Sequence, residues 1–445
     1  MKGNTPFSVL GALLALWSGL AFGQTYTLLD VWKMGLERDP IYASVRANRS
    51  AVQEKIPQAR ALLLPFLTAA TGAELDDTRN TNFDDSKTSR RGVWTVTLTQ
   101  PIIDIGQWEK LSQSQFQVQA ADLTVQQAWQ DLMLRVAQAY FNVLTAQDNI
   151  KTLEAQRKAI TNQLDAARKG FELGSATIAD TYEAQARLDL INANEIQARN
   201  TLQVSLDQLQ RIINEQPSTL AGLSPDIKLP PPEPARISDW TEQARTASLE
   251  VARATLETKI AEKDISIAKS GHYPTLDFYA QSGSSSDRGV YGPRAGPRSV
   301  DSTVGVQLSI PLYSGGGISS KVREQTSLLQ RSRYDLEASR RQSVQLTQQY
   351  FSGVVSGLAQ VNALQAAEKS SLASLQANQT GYEVGVRVNI DVLNAQQQLY
   401  ETQRALANAR YTTLLYGLRL KAAAGTLTEA DLQAVNGLLV TNPAN

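Results

Sequence analysis

Residues 170–174 read Gly-Phe-Glu-Leu-Gly, and residues 381–385 read Gly-Tyr-Glu-Val-Gly. The second stretch follows the first at an offset of 211 residues, and the residues downstream of each stretch match at the same offset. The matched downstream positions are Asp180 and Asp391, Ala184 and Ala395, Gln185 and Gln396, and Ala198 and Ala409. This period is far longer than the roughly 20 to 50 residues of solenoid repeats. The pattern therefore predicts an internally duplicated chain.

The duplication divides the chain into two structural repeats, predicted at residues 24–216 and 238–427. Residues 217–237 form a proline-rich linker between them, and residues 428–445 form a C-terminal tail. Residues 1–23 carry a lysine, a short apolar run and small residues before the end, which is typical of a secretory signal peptide. The alternative is a membrane anchor helix, but the run is shorter than the ~20 residues a span needs.

Composition excludes several functional classes. The chain has no cysteine, so disulfides and a lipid-modified cysteine are both excluded. Its formal net charge is +0, which argues against nucleic acid as a partner. The single histidine, His272, leaves little for a metal site, and we expect no metal and no cofactor.

Two segments alternate like strands. In 93–100 the even positions Trp94, Val96 and Leu98 are apolar and the odd ones are mostly Thr, and 303–310 repeats this alternation. Each segment is preceded by another strand that begins after a proline, so each half carries one hairpin. The polar, turn-forming stretches 76–90 and 282–300 are predicted to be long surface loops within the hairpins.

About ten alternating residues per strand suit a tilted transmembrane β-strand. Four strands cannot close a barrel, and an open sheet in lipid would leave edge groups without partners, so closure must come from other copies of the chain. Three chains would supply 12 strands and leave a lumen, whereas two would supply 8 and fill it with side chains. A conduit favours the trimer.

The remaining sequence is predicted to be largely helical. No proline occurs from Ile105 to Lys169, and apolar residues there step by four and three, which is a heptad seam. A helix of that length would reach roughly 100 Å. Further helices are predicted at about 178–213, 318–380 and 390–424, with shorter ones at 28–63 and 238–270. These helices alone would also fit a soluble coiled-coil spacer or adaptor.

Catalytic motifs are missing from the sequence. There is no nucleophile elbow and no phosphate-binding loop leading into a Lys-Ser or Lys-Thr pair. The run 315–317 is Gly-Gly-Gly, but it lacks the required spacing and is predicted to be a flexible corner between strand and helix. We therefore expect a protein that is not an enzyme.

The chain resembles the TolC family of outer membrane efflux and type I secretion channels. The resemblance rests on residues 170–185 and 381–396, with Leu-Tyr-Ser-Gly-Gly at 312–316, and extends from about Thr27 to about Leu427. It implies an α+β membrane protein in the cell outer membrane. Three chains would form a 12-stranded transmembrane β-barrel, four strands from each, continued by a long α-helical coiled-coil tunnel through the periplasm. The implied partners are a periplasmic adaptor and an inner-membrane ABC or proton-driven transporter, besides outer membrane lipid.

The resemblance also implies a gate at the periplasmic end of the tunnel. By position, Tyr382 and Arg387 correspond to residues that tie one helix turn to its neighbour, with Asp180 as the acidic partner. Asp391 corresponds to an acidic ring at the constriction, and Asn394 stands where a second acidic ring would be, which predicts a weaker attraction for cations. The turns that would meet the adaptor contain Gly170, Phe171, Gly174, Gly381 and Gly385.

A simpler role for some of these residues stays open. Asp180 follows Thr177 by three positions and Asp391 follows Asn389 by two, so both carboxylates could cap the first turn of a returning helix. Gly174 and its counterpart could end helices with positive φ. The sequence does not distinguish a protein toxin, a protease or a small drug as cargo. A periplasmic adaptor without a pore is the alternative function.

Overall fold

The computed structural model describes residues 25–80, 85–217, 219–224, 227–289 and 299–440. The predicted signal peptide, residues 1–23, lies outside the described residues. The elements in chain order are β1 (Thr25–Tyr26), α1 (Leu28–Arg38), α2 (Pro40–Gln53), α3 (Lys55–Ala61), β2 (Phe66–Asn80), β3 (Asp85–Ile103), α4 (Ile105–Glu172), α5 (Ile178–Ile213), β4 (Thr219–Leu220), β5 (Gly222–Leu223), α6 (Ile237–Ala247), α7 (Leu249–Ser270), β6 (Thr275–Gly289), β7 (Ser299–Ser309), α8 (Gly317–Glu383), α9 (Asn389–Ala423), α10 (Glu429–Asn436) and β8 (Leu439–Val440).

The longest helices are α4 and α8, with 68 and 67 residues. At 1.5 Å per residue each extends for about 100 Å. Each turns back into a returning helix, α5 or α9, and forms an antiparallel hairpin with it. The stepped apolar residues meet inside the first hairpin, where Leu153, Ile160 and Leu164 of α4 pack with Ala184 and Ile191 of α5. The predicted positions of these four helices are confirmed.

The two β-hairpins lie side by side in one antiparallel sheet of order β2-β3-β6-β7. The first hairpin pairs from Phe66 with Thr99 to Asn80 with Asp85. The prediction that 76–90 and 282–300 are long loops is therefore wrong over most of the first stretch and over 282–289 and 299–300 of the second. Backbone ladder bonds do not depend on side-chain polarity, so a polar stretch can continue a strand. Residues 290–298 lie outside the described part of the chain.

The even positions from 304 to 308 of β7 form an apolar row. Val304, Val306 and Leu308 are all more than half exposed in the single chain. Their alternation with small or polar residues is the one predicted from the sequence. An exposed apolar row of this kind calls for a partner surface, either lipid or protein.

The main core lies where α1, α4, α5, α9 and α10 meet. Its large fully buried side chains include Trp32, Met133, Tyr140 and Ile213. The Tyr140 hydroxyl donates to the Ala221 carbonyl at 2.7 Å, which satisfies its polar atom within the core. This region joins the coiled coils to the segments that carry the sheet.

The two shorter predicted helices are each interrupted. The segment 28–63 forms three helices rather than one, because Pro40 and Pro57 have no N–H to donate within a continuous helix. The segment 238–270 breaks at Ser248, whose side chain accepts the Val251 N–H at 3.2 Å and begins α7.

The linker and the C-terminal segment both contribute to this core region. Strand β4 from the linker pairs in parallel with β1, and β5 pairs antiparallel with β8. The segment predicted to be a tail contains α10, which begins with a Thr428–Asp431 capping box and buries Leu432 completely. The division of the chain at these points stays a prediction.

Among the described residues, every helix is too short or too polar to be a candidate for crossing a bilayer.

A partly buried ion pair joins the start of α2 to α4 and predicts a pH effect. Both Asp39 carboxylate oxygens accept from Arg135, at 2.9 and 3.0 Å, and Oδ1 also accepts the Tyr42 N–H at 2.7 Å. Burial acts to raise the pKa of Asp39, but these hydrogen bonds outweigh it, and the pKa lies below its ordinary value of 3.8. A lowered carboxyl pKa contributes stability above the unfolded-state pKa, and the contribution is lost as pH falls through the folded-state pKa.

We expect Asp39→Asn to lower the free energy of unfolding by about 1.5 to 3 kcal/mol at pH 7, because asparagine can still cap α2 but cannot form the charged pair. The difference in the free energy of unfolding between wild type and Asp39→Asn should shrink below about pH 4. Urea unfolding at pH 7 and at pH 3 measures it, and a gap that is the same at both pH values would contradict the assignment.

Candidate functional site

The two helical hairpins, α4–α5 and α8–α9, each have a turn between their helices, and the two turns have matching backbone hydrogen bonds. The Gly170 carbonyl accepts the N–H groups of Ser175 and Ala176 at 2.8 and 3.1 Å. At the 211-residue offset, the Gly381 carbonyl accepts those of Val386 and Arg387 at 2.9 and 3.0 Å. The repeated motif therefore encodes the same turn twice, far along the coiled coils from the sheet.

Each turn needs glycine at two positions for different reasons. Gly174 has φ +74° and Gly385 has φ +81°, as predicted for residues that follow a helix end. At Gly170 an added Cβ would lie 2.9 Å from the Cβ of Ala176. At Gly381 it would lie 2.7 Å from Cγ of Arg387. A side chain at either position would push the turn apart.

The predicted capping role of Asp180 is confirmed. Its Oδ2 accepts from the N–H and hydroxyl of Thr177, at 2.8 and 2.7 Å, and closes a capping box at the start of α5. The returning helix of the second helical hairpin, α9, begins differently, because Val388 stands at its cap position and makes no side-chain cap bond. Asp391 lies in the first turn of α9, so it places charge there without capping it.

Asn389 joins three helices near these turns. It is 1% exposed. Its Nδ2 donates to the Asp180 carbonyl at 3.1 Å, and its Oδ1 accepts from Gln163 Nε2 at 2.5 Å. Since Gln163 is on α4 and Asp180 on α5, one amide links the first hairpin to α9. This role of Asn389 was not predicted from the sequence, where it was noted only as the residue two positions before Asp391.

Four of the predicted gate residues form two close pairs within one chain, Tyr382 with Asp180 and Arg387 with Asp391. Burial raises the pKa of Tyr382, and the negative charge of nearby Asp180 raises it further. Arg387 lies with its Nη1 3.6 Å from Oδ2 of Asp391, so its contact within the chain is with Asp391 rather than with Asp180. A pair between Arg387 and Asp180 stays a prediction for adjacent coiled coils.

Asn394 is bound by an arginine that the sequence analysis missed. Arg187 Nη2 donates to Asn394 Oδ1 at 3.0 Å, and Nη1 donates to Oε1 of Gln397. Comparing the two copies of the motif could have pointed to this bridge, because both of its residues differ between the copies. The positions matching Arg187 and Asn394 at the 211-residue offset are Gln398 and Glu183, so the second repeat does not reproduce it.

The surface of the two turns is apolar. Leu173 is 84% exposed and Val386 is 75% exposed, and Phe171, Val384 and Val388 are also exposed. Aliphatic side chains this open at the ends of long polar helices are typical of a docking surface. Charged residues, including Arg387, lie at their edge.

Comparison with known proteins agrees with this architecture. The sequence profile of the family described as outer membrane efflux protein matches residues 32–215 and 240–426. The chain is 34% identical over 460 residues to outer membrane protein TolC of Escherichia coli, covering 100% of this chain and 92% of that protein. It is 31% identical over 438 residues to alkaline protease secretion protein AprF of Pseudomonas aeruginosa, covering 96% and 90%.

Solved structures share the fold. The CmeC outer membrane channel of Campylobacter jejuni superposes with a TM-score of 0.78 at 14% identity, over 99% of this chain and 98% of that one. The resemblance read from the repeated turns is thus confirmed over nearly the full length. The chain belongs to the outer membrane efflux protein family.

Proposed function

We propose that the protein is the outer membrane channel of an efflux or type I secretion system. It passively conducts substrates from an inner-membrane pump and its adaptor across the periplasm and the outer membrane. The observation that carries this proposal is the placement of the parts along α4. The strand β3 ends at Ile103, beside the start of α4. The glycine turn that begins at Gly170 lies at the other end of α4, about 100 Å away.

The sheet supports assembly from three chains. In the described part of the chain, β2 and β7 each pair along one edge only. Each unpaired backbone group in lipid costs several kcal/mol, which favours closure of the sheet by other copies. Three duplicated chains close a 12-stranded barrel, and the apolar row on β7 faces outer membrane lipid.

The gate lies at the turns. Arg387 of one coiled coil pairs with Asp180 of its neighbour, Tyr382 lies against the same contact, and Asp391 and Asn394 ring the constriction. A pair this exposed contributes about 0.5 to 1 kcal/mol, and threefold symmetry repeats it three times. The docked adaptor separates the coiled coils and opens the tunnel.

The partners are supported by the exposed turns and by the names of relatives. The apolar residues around Gly170, Gly174, Gly381 and Gly385, Phe171 among them, form the surface on which an adaptor docks. AprF is named for alkaline protease secretion, and BepC of Brucella suis is named an outer membrane efflux protein. An ABC transporter or a proton-driven pump in the inner membrane would supply the cargo.

Single-channel recording tests the function. We expect the detergent-extracted protein to have trimeric mass and to produce discrete, cation-preferring conductance in planar bilayers. A protein that leaves the membrane in salt without detergent and is electrically silent would contradict the channel and favour a periplasmic adaptor.

Two substitutions test the latch. We expect Arg387→Ala and Asp180→Ala channels to conduct several-fold more than wild type, because each removes one side of a contact that is repeated three times. Arg341→Ala is the matched control, since Arg341 pairs with Glu337 one turn away on its own helix. Conductance no higher than that of the control would rule out the latch.

A further inference from the structure

The bridge from Arg187 to α9 is built from one charged and two neutral groups. The planar guanidinium donates through two different nitrogens, to Asn394 Oδ1 at 3.0 Å and to Gln397 Oε1. The acceptors lie three positions apart and so occupy one face of α9. This fork geometry holds the guanidinium in a defined place, which a single flexible ammonium would not.

That place is next to the proposed constriction. Asp391 and Asn394 are also three positions apart on α9, so their side chains lie on the same face. Because Arg187 reaches Asn394, its charge is about one helical turn from the carboxylate of Asp391. The guanidinium is only partly buried, so its field reaches the adjacent solvent.

The charge of Arg187 is not cancelled by a direct contact with an acid. Both of its hydrogen-bond acceptors are side-chain amides, and among the described residues it forms no ion pair. The other end of the Gln397 amide bonds to Glu401, one turn further along α9, where Nε2 donates to Oε1 at 2.8 Å. Asp391, by contrast, already has Arg387 3.6 Å away. Arg187 therefore adds a positive charge at this level that no direct acidic contact neutralises.

We propose that Arg187 is a selectivity-determining residue of the channel, which lowers its preference for cations at the level of Asn394. The inference rests on the proposed function, since it needs an open conduit. In the trimer, the three copies of Arg187 would form a ring of guanidinium groups at the level of Asn394. The other side chains proposed to face the pore there, Asn394 and Asp391, are neutral or acidic. Rings of charged side chains set ion preference in this way.

The test is the potassium-to-chloride permeability ratio, obtained from reversal potentials across a KCl gradient in planar bilayers. We expect Arg187→Gln to raise the ratio about twofold or more near 0.1 M KCl, where the Debye length is about 10 Å. The difference should shrink near 1 M KCl, where the length is about 3 Å. If the substitution only loosened the packing of the helices, the change in the permeability ratio would persist at high salt.

Two further variants make the result specific. Arg187→Lys keeps the charge but not the two-nitrogen fork, so its ratio should lie between those of Arg187→Gln and wild type. Arg168→Gln is the matched control, because Arg168 also donates to a neutral amide, Gln185 at 2.9 Å, but that amide is on α5 rather than on the Asp391 face of α9. Its ratio should stay at the wild-type value.

The outcomes separate the two proposals. A conducting Arg187→Gln trimer with an unchanged ratio overturns the selectivity role and leaves the channel intact, as does an equal shift in Arg168→Gln. A wild-type trimer that forms no conducting channel overturns the proposed function, and the selectivity role with it.

Discussion

Replacing Asn389 with alanine is expected to raise the open fraction of the reconstituted channel about tenfold or more. The Asn389 amide is buried and bonds to Gln163 on α4 and to the Asp180 carbonyl on α5. Alanine leaves the partly buried Gln163 amide without this acceptor and removes the side-chain donor to the Asp180 carbonyl, and each lost hydrogen bond costs about 0.5 to 1.5 kcal/mol when α9 lies against the first helical hairpin. Since 1.4 kcal/mol is a factor of ten, the closed arrangement loses its advantage.

Two variants control this experiment. Asn389→Asp retains an acceptor for Gln163 but places a buried carboxylate against the Asp180 carbonyl oxygen, so its open fraction should be at least as high as that of Asn389→Ala. Asn378→Ala removes an asparagine of α8 whose amide bonds within its own helix, to Ser374, and should have no effect. Planar-bilayer recordings at one voltage compare all three. An Asn389→Ala channel that opens no more often than Asn378→Ala would show that this amide does not hold the gate.

Replacing Trp32 with alanine is expected to destabilise the core by about 3 to 5 kcal/mol. Trp32 is fully buried, and its ring meets that of Trp129 edge to face with centroids 5.6 Å apart. Alanine would leave a cavity between α1 and α4 that the two helices cannot collapse to fill, because both are packed into the same core. The loss of helical circular dichroism on heating measures it.

Trp108→Ala is the control for loss of a tryptophan. Trp108 lies in the first turn of α4 and is 60% exposed in the chain, so its removal leaves no cavity. Its melting midpoint should stay close to that of wild type. If both variants melt together, burial of Trp32 does not stabilise this region.

Local patterns were sufficient for the long helices and the turns. The heptad steps of α4 and the repeated glycine motifs involve residues within one or two helical turns of each other, so they are readable without knowing the fold. The capping box of Asp180 was predictable for the same reason, because Thr177 is three positions away.

Boundaries that depend on backbone pairing were less readable. The strand β2 continues to Asn80 because β3 supplies its ladder partners, whatever the polarity of the side chains. Similarly, α10 is too short to be stable by itself, and it forms because Leu432 is buried in the core.

The sequence by itself determined the class of protein, the alternating strands, the coiled coils and the two glycine turns, because each is encoded by residues near one another in the chain. Only the tertiary structure decided the contacts at the candidate gate. Gln163 and Asn389 are 226 positions apart, and Arg187 and Asn394 are 207 apart. Such pairs depend on how the second hairpin lies against the first, which follows from packing along the full length of the helices and not from any local pattern.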